Sequence, residues 1–380
     1  MFNIIILGLT SFFTDIASEM VYPLVPFFLT LKLGASPAIM GVIEGIAESL
    51  ASLLKVFAGY ISDRLKNRKG LTIVGYASSA VGKVLLVFAN AWGMVLGARV
   101  VDRLGKGIRT APRDALIADS SAEGQRGMSF GLHRAMDTGG AVIGVLLAYF
   151  FFTRFTGDYA RVFLWSLLPA AIGVLLLIFV REAKPKAGKA ATLPSLRWNV
   201  LPRKLQLFLV VALIFTLGNS SNTFLLLRAQ NLGFTPATAI LLYLVYNLVY
   251  GLVSYPAGKL SDRIGRKRLL VAGYAFYGLV YLGFALINLP SQAWMLCALF
   301  GLYGLYIGLT DGVEKALVTD LAPANLRATA IGLHATIVGI GLFPASLIAG
   351  QLWGRLGPAA TFYFGGGMGL VAAVGLLLVL

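Results

Sequence analysis

One apolar stretch of this chain, residues 93–117, carries Arg99, Asp102, Arg103, Lys106, Arg109 and Arg113. At about 100° per residue, a helix gathers these groups within an arc of roughly 120°. They form one cationic stripe on one face. A guanidinium forks a carboxylate or phosphate with two parallel hydrogen bonds, whereas an ammonium meets it as a point charge. Arg99, Arg103 and Lys106, with Arg134 on the following stretch, are therefore candidate contacts for the anionic groups of a solute.

Acidic groups stand on neighbouring stretches. Asp15 and Glu19 are one helical turn apart and share a face. Glu44, Glu48 and Lys55 share another, and His133 and Asp137 repeat the one-turn spacing. A partly buried carboxylate or imidazole can exchange a proton near neutral pH. Asp15, Glu19, Glu44, Glu48, His133 and Asp137 are thus candidate proton-coupling groups. Asp15, Glu19, Glu44, His133 and Asp137 would also serve as hard metal ligands, but their wide separation makes that signal weak. A purely structural reading exists too. Lys55, Lys83, Arg99, Arg103, Lys106, Arg109, Arg113 and Arg134 nearly balance Asp15, Glu19, Glu44, Glu48, Asp102, Asp114 and Asp137. Together they would make an almost neutral ion-pair network. Lys83, on the third stretch, stands apart from this grouping.

The second half of the chain offers different chemistry. Asn219, Asn222, Tyr246, Asn247 and Tyr306 are candidate solute contacts, with Ser220, Tyr243, Tyr250, Tyr303 and His334 near them. Arg228, Asp311 and Glu314 are its main charges. An aromatic and amide wall suits the organic part of a solute. The tyrosines fit ordinary packing equally well.

The elements that must position these groups lie in lipid. The chain has 380 residues, 58% hydrophobic and 13% charged, against about 25% charged in a soluble domain. Mean hydropathy is +0.82. A spanning helix needs about 20 mostly apolar residues. Such stretches fall at 4–30, 37–61, 71–90, 93–117, 128–152 and 162–181, then at 205–229, 237–258, 269–288, 293–319, 329–352 and 358–380. The net charge of +16 does not mark a nucleic-acid binder, because the basic residues sit on alternate connections. Arg64 to Lys69, Arg126, Arg181 to Lys204, Lys259 to Arg268, and Arg327 form one set. That set faces the cytoplasm by the positive-inside rule, which puts both chain ends inside, in the cytoplasmic (inner) membrane. The first stretch has no basic segment before it and is interrupted by Asp15 and Glu19, so it reads as a retained helix and not a cleaved signal. One cysteine, Cys297, permits no internal disulfide. No phosphate-binding P-loop and no nucleophile or redox-cofactor constellation is present. The reading is of a protein that is not an enzyme and has no cofactor and no resident metal.

The halves repeat each other. Ala58-Gly59-Tyr60-Ile61-Ser62-Asp63-Arg64 matches Ala257-Gly258-Lys259-Leu260-Ser261-Asp262-Arg263, and Ala115-Leu116-Ile117-Ala118-Asp119 matches Ala316-Leu317-Val318-Thr319-Asp320. Arg126 pairs with Arg327, and Gly131-Leu132-His133 with Gly332-Leu333-His334. This divides the chain into a bundle over 1–182, a basic cytoplasmic linker over 183–204 and a bundle over 205–380.

Gly59, Asp63, Arg64 and Arg68-Lys69 resemble the G-x-x-x-D-R-x-x-x-R-K loop signature of the major facilitator superfamily, and Gly258, Asp262, Arg263 and Lys267 repeat it. The resemblance implies an all-α membrane protein of twelve transmembrane helices in two six-helix pseudo-symmetric halves. It implies a secondary transporter working by alternating access on a small molecule, in contact with membrane lipids and monomeric, and the membrane carboxylates add the expectation that it is proton-coupled. It gives Asp63 and Asp262 the role of latching one half against the other; the repeated Asp119, Arg126, Asp320 and Arg327 join them as gating or motif positions, and Arg109, Arg113 and Asp114, near the cytoplasmic end, are expected as gate or loop contacts. Gly131, Gly140 and Gly144 resemble the family's antiporter motif, with Val145 in place of its proline. That pattern keeps a drug-type proton antiporter open as an alternative, beside a metal or metal-chelate carrier and a membrane sensor that no longer transports.

Overall fold

Hydrocarbon offers no partner for a backbone amide, so a chain that crosses it must satisfy its amides within each segment. The computed structural model does this with helices alone. It describes residues 2–65, 67–122, 125–182, 198, 201–287, 293–323 and 326–380, and no strand occurs among them. The expected linker over 183–204 lies mostly outside the described residues.

The membrane helices of the first half are α1 (Phe2–Val21), α2 (Pro37–Leu65), α3 (Arg68–Val87), α4 (Trp92–Ser120), α5 (Arg126–Arg154) and α6 (Tyr159–Leu176). Those of the second are α7 (Arg203–Gly218, resuming at Thr223–Asn231), α8 (Pro236–Ile264), α9 (Arg266–Leu286), α10 (Ala293–Leu321), α11 (Arg327–Leu356) and α12 (Pro358–Val379). Ten spans among the described residues are long and apolar enough to cross a membrane. The other two, α2 and α4, have 29 residues each but carry the charges noted above. Each of the twelve expected stretches coincides with one of these helices. The 29-residue helices are about 43 Å long at 1.5 Å per residue, well beyond the ~30 Å hydrocarbon core. Their ends therefore reach the headgroup region, where Arg64, at the exposed end of α2, is hydrated cheaply.

The helices form two units: Met1–Gly34 with Ile46–Leu193, and Ala35–Gly45 with Pro194–Leu380. In the first unit, α3 and α4 approach until backbones touch. A Cβ on Gly82 would lie 2.8 Å from the Ala98 carbonyl, and one on Gly105 would lie 2.7 Å from the Ser79 amide. On the other side, α5 rests on α1. A Cβ on Gly144 would come within 2.6 Å of the Ile16 carbonyl, and Gly140 faces the Phe12 carbonyl. Two glycines of the antiporter-like pattern thus serve close helix packing, while Gly131 has nothing within 4 Å of its missing side chain.

The first helix of each half is interrupted. After Val21, α1 tightens into a 3-10 turn over Tyr22–Leu24 that contains Pro23, and Pro26 follows two residues later. Proline cannot donate to the helical ladder. The counterpart interruption in α7 runs over 219–222, an Asn-Ser-Ser-Asn run. Such side chains compete for the backbone's hydrogen bonds, and here they replace the helical ones. Ser346 Oγ accepts from the Ser221 amide at 3.3 Å, Ser221 Oγ accepts from the Thr223 amide at 3.3 Å, and Tyr277 donates to the Gly218 carbonyl at 2.8 Å.

The backbone contact between α3 and α4 yields a prediction. Gly105→Leu forces the two helices apart, and overpacking alone costs about 1–3 kcal/mol. The variant should show a lower melting temperature in detergent and a reduced monodisperse yield, whereas Gly131→Leu, in open space, should match the parent in both.

Candidate transport site

The stripe on α4 is held by partners on the helices that α4 touches. Lys83 Nζ on α3 meets Asp102 at 3.3 Å, and Lys83 is buried. Here Lys83 finds its place: the glycine contact brings it over the α4 charge of opposite sign. Arg103 pairs with Glu48 of α2 at 2.9 Å, and Arg99 approaches the same carboxylate at 4.0 Å. The Arg99 guanidinium also lies 5.4 Å from the Tyr22 ring, at the α1 interruption. Arg109 donates to Ser79 Oγ at 2.6 Å and sits 4.3 Å above the Tyr76 ring. Lys106 differs from these. It is exposed and makes no ion pair among the described residues.

A second cluster gathers around Ser11 of α1. Its hydroxyl is 2.8 Å from both the Tyr76 hydroxyl and His133 Nε2, and it accepts from Arg113 at 3.3 Å. Arg113 pairs with Asp114 at 2.8 Å, and His133 Nδ1 is 3.6 Å from Asp137. Asp15 shares the electrostatic neighbourhood of Asp137, Lys106, Arg109 and Arg113. Glu19 faces α5, its Cβ 2.9 Å from where a Gly144 Cβ would stand. Arg134 is exposed. Glu44 belongs to the second unit, where it accepts from Ser221 Oγ at 3.2 Å.

In the second unit the α7 interruption anchors an amide and tyrosine cluster. Asn219 donates to the Tyr306 hydroxyl and Asn222 to the Tyr246 hydroxyl, each at 3.3 Å, while Tyr303 donates to Asn222 at 2.7 Å. Asn247 turns back to the Tyr243 carbonyl at 3.0 Å. Tyr303 and Tyr306 are buried, with ring centroids 5.4 Å apart. Arg228, also buried, is spent on backbone carbonyls of Phe284 and Ile287 and on Asn231.

The loop-signature residues meet acidic helix ends. Arg68 pairs with Asp119. In the second half Arg266 takes that place, 2.5 Å from Asp320 and 3.6 Å from Asp262. Lys267 reaches the Leu377 carbonyl at 3.2 Å. Arg266 is absent from the expected set because the signature letter falls one position later. Glu182 accepts from the Arg68 and Lys69 amides at 3.0 and 2.8 Å, where a carboxylate satisfies free amides and complements the positive end of α3. Arg64, Arg263 and Arg327 are exposed. A Gly59 Cβ would sit 3.5 Å from Ala111, and Gly258 lies in open space. The side chains of Asp63 and Arg126 lie outside the described residues. Among the described residues, no three His, Cys, Asp or Glu side chains gather as a metal site requires.

This arrangement has relatives. The profile of the Major Facilitator Superfamily matches residues 7–227 and 207–380. An uncharacterized MFS-type transporter of Methanocaldococcus jannaschii is 39% identical over 388 residues, spanning 99% of this chain and 94% of that protein. The inner membrane transport protein YajR of Escherichia coli is 26% identical over 367 residues, 91% of this chain and 76% of that one. The crystal structure of the nucleoside transporter NupG superposes with a TM-score of 0.84 at 14% identity, covering 100% of this chain and 99% of that chain. The chain belongs to the Major Facilitator Superfamily, and is an integral membrane protein of a transporter family.

The α7 interruption can be tested through its hydrogen bonds. Tyr277→Phe leaves the Gly218 carbonyl with the Ser220 amide, at 3.2 Å, as its remaining donor, and the net loss of one buried hydrogen bond costs about 0.5–1.5 kcal/mol. Equilibrium unfolding in mixed micelles should show a loss in that range. A variant as stable as the parent would mean that the Ser220 amide satisfies the Gly218 carbonyl alone.

Proposed function

We propose that the chain is a proton-coupled secondary carrier that moves a small solute bearing anionic groups across the cytoplasmic membrane by alternating access. Lys106 carries this reading. It is an exposed cation without an ion pair among the described residues, on the same α4 face as Arg99 and Arg103. Those arginines are anchored by Glu48. An incoming carboxylate or phosphate would meet the Lys106 charge, which is in no ion pair among the described residues, beside two buried guanidiniums. Asn219, Asn222, Tyr246, Asn247 and Tyr306 would take the organic part of the solute, and Arg134 is a further cation for the anionic part.

Asp15 supplies the link to protons. As a carboxylate it holds Lys106 and its neighbours by charge attraction; once protonated it releases them to the anion. Glu19, Glu44, Glu48 and the His133–Asp137 pair are further stations for the proton. The basic connections would face the cytoplasm, with both chain ends inside, in keeping with the E. coli relative, an inner membrane transport protein. The duplicated loops, with Asp63 and Asp262, would latch the cycle at one of its end states, in a carrier that works as a monomer.

Uptake into proteoliposomes of labelled uridine, uridine monophosphate and benzoate, with and without a pH gradient, tests this reading. The two anions should accumulate with the gradient. Lys106→Ala should weaken their binding about tenfold, the low end for a charge-assisted contact of about 1.5–3 kcal/mol. Asp15→Asn and Glu19→Gln should lose gradient-driven accumulation and keep solute-for-solute exchange. Full proton-driven uptake in both variants would exclude α1 as the coupling site. Equal handling of uridine and its monophosphate, unaffected by Lys106→Ala, would end the anion reading.

A further inference from the structure

The two repeats place the same frame of side chains around charges of opposite sign. Gly75-Tyr76-Ala77 of α3 recurs as Gly273-Tyr274-Ala275 of α9, and His133 of α5 recurs as His334 of α11. Between them, the α4 pair Arg113-Asp114 becomes Glu314-Lys315 on α10. In the first repeat the frame surrounds a guanidinium that stays charged at any relevant pH. In the second it surrounds a carboxylate, which can lose its charge.

The surroundings of Glu314 suit that change. Tyr274 donates to Oε1 at 3.0 Å, and His334 Nε2 lies 3.7 Å from Oε2. That nitrogen is buried and has no hydrogen-bond partner among the described residues. Aromatic rings close the cluster off. Phe215 stacks on Tyr274 at 3.9 Å, and Phe208 lies parallel to the His334 ring at 6.1 Å. From α8 comes Tyr250, directed to Asp311 at 3.4 Å; from α9, Tyr274; from α11, His334; from α7, only the two phenylalanines. On α10 itself, Lys315 is committed to Asp311 at 2.9 Å, and Tyr306 bonds to Asn219. No lysine or arginine among the described residues forms an ion pair with Glu314.

We infer that Tyr274, Glu314 and His334 form a proton-binding site on the second repeat, filled and emptied once per transport cycle. This rests on the proton-coupled reading above and adds a station on α10. Deprotonated, the site holds a carboxylate steadied by one phenol and a neutral imidazole with an unmet nitrogen. A proton delivered from water settles between Oε2 and Nε2. The site then gains one positive charge and one hydrogen bond. The 3.7 Å gap is too long for that bond, so filling the site draws α11 toward α10. Releasing the proton lets them part. A local proton is thereby converted into a helix movement within one repeat.

His133 and His334 are the only histidines in the chain, so protein labelled with ¹⁵N-histidine gives two imidazole spectra, assigned with His133→Gln. In liposomes, titrated from about pH 5 to about pH 9, the His334 signals should change protonation or tautomer with pH. Glu314→Gln should displace or abolish that change and Tyr274→Phe should shift it less, while His133 signals stay as in the parent. His334 signals that are identical in the parent, Glu314→Gln and Tyr274→Phe overturn the site. The broader reading fails separately. If His334 and Glu314 titrate together but a pH gradient drives no accumulation of uridine monophosphate or benzoate, the site stands as a proton-binding cluster and proton-coupled transport of these anions does not.

Discussion

Hydrocarbon cannot solvate charge, and that constraint organises the first half of this protein. A charged side chain at mid-bilayer costs about 2.5–3.5 kcal/mol on insertion scales, yet α4 carries six charges along one face. The cost is offset where a charge meets a partner, and the partners can reach only if the helices come close. Gly82 and Gly105 permit that approach. The contact places Lys83 at Asp102 and Arg109 at Ser79, and α2 brings Glu48 to Arg99 and Arg103. Small residues and large charges are thus two parts of one device. The glycines set the distance over which the charges can pair.

The second half solves the same problem with neutral groups. Its interrupted α7 frees backbone groups inside the membrane, and serines, asparagines and tyrosines take them up. Buried tyrosines fill the volume and offer hydroxyls, at a smaller desolvation penalty than ions would carry.

Much of this was legible in the residues themselves. Twelve helices followed from apolar length, including α2 and α4, whose charges hide them from hydropathy but whose repeat partners α8 and α10 are plainly apolar. Helical spacing foretold the single charged face of α4. It could not assign partners, because pairing depends on which helices touch. Lys83 had no place in the sequence pattern for that reason, and nothing in the pattern tied Glu44 to Ser221. Register also misled by one residue: the signature letter pointed to Lys267, while Arg266 holds Asp320. The interruption of α7 leaves a compositional trace in Asn219-Ser220-Ser221-Asn222, but apolar flanks mask it.

If pairing is what lets α4 carry its charges in lipid, then Glu48 and Arg103 must stabilise the fold jointly. A double-mutant cycle of Glu48→Gln, Arg103→Gln and the double variant, followed by equilibrium unfolding in mixed micelles, measures their coupling directly. The account predicts a coupling energy of about 1–3 kcal/mol, with the double variant more stable than the two single losses combined would allow. Additivity within about 0.5 kcal/mol would contradict it, because the charges would then be solvated independently of one another.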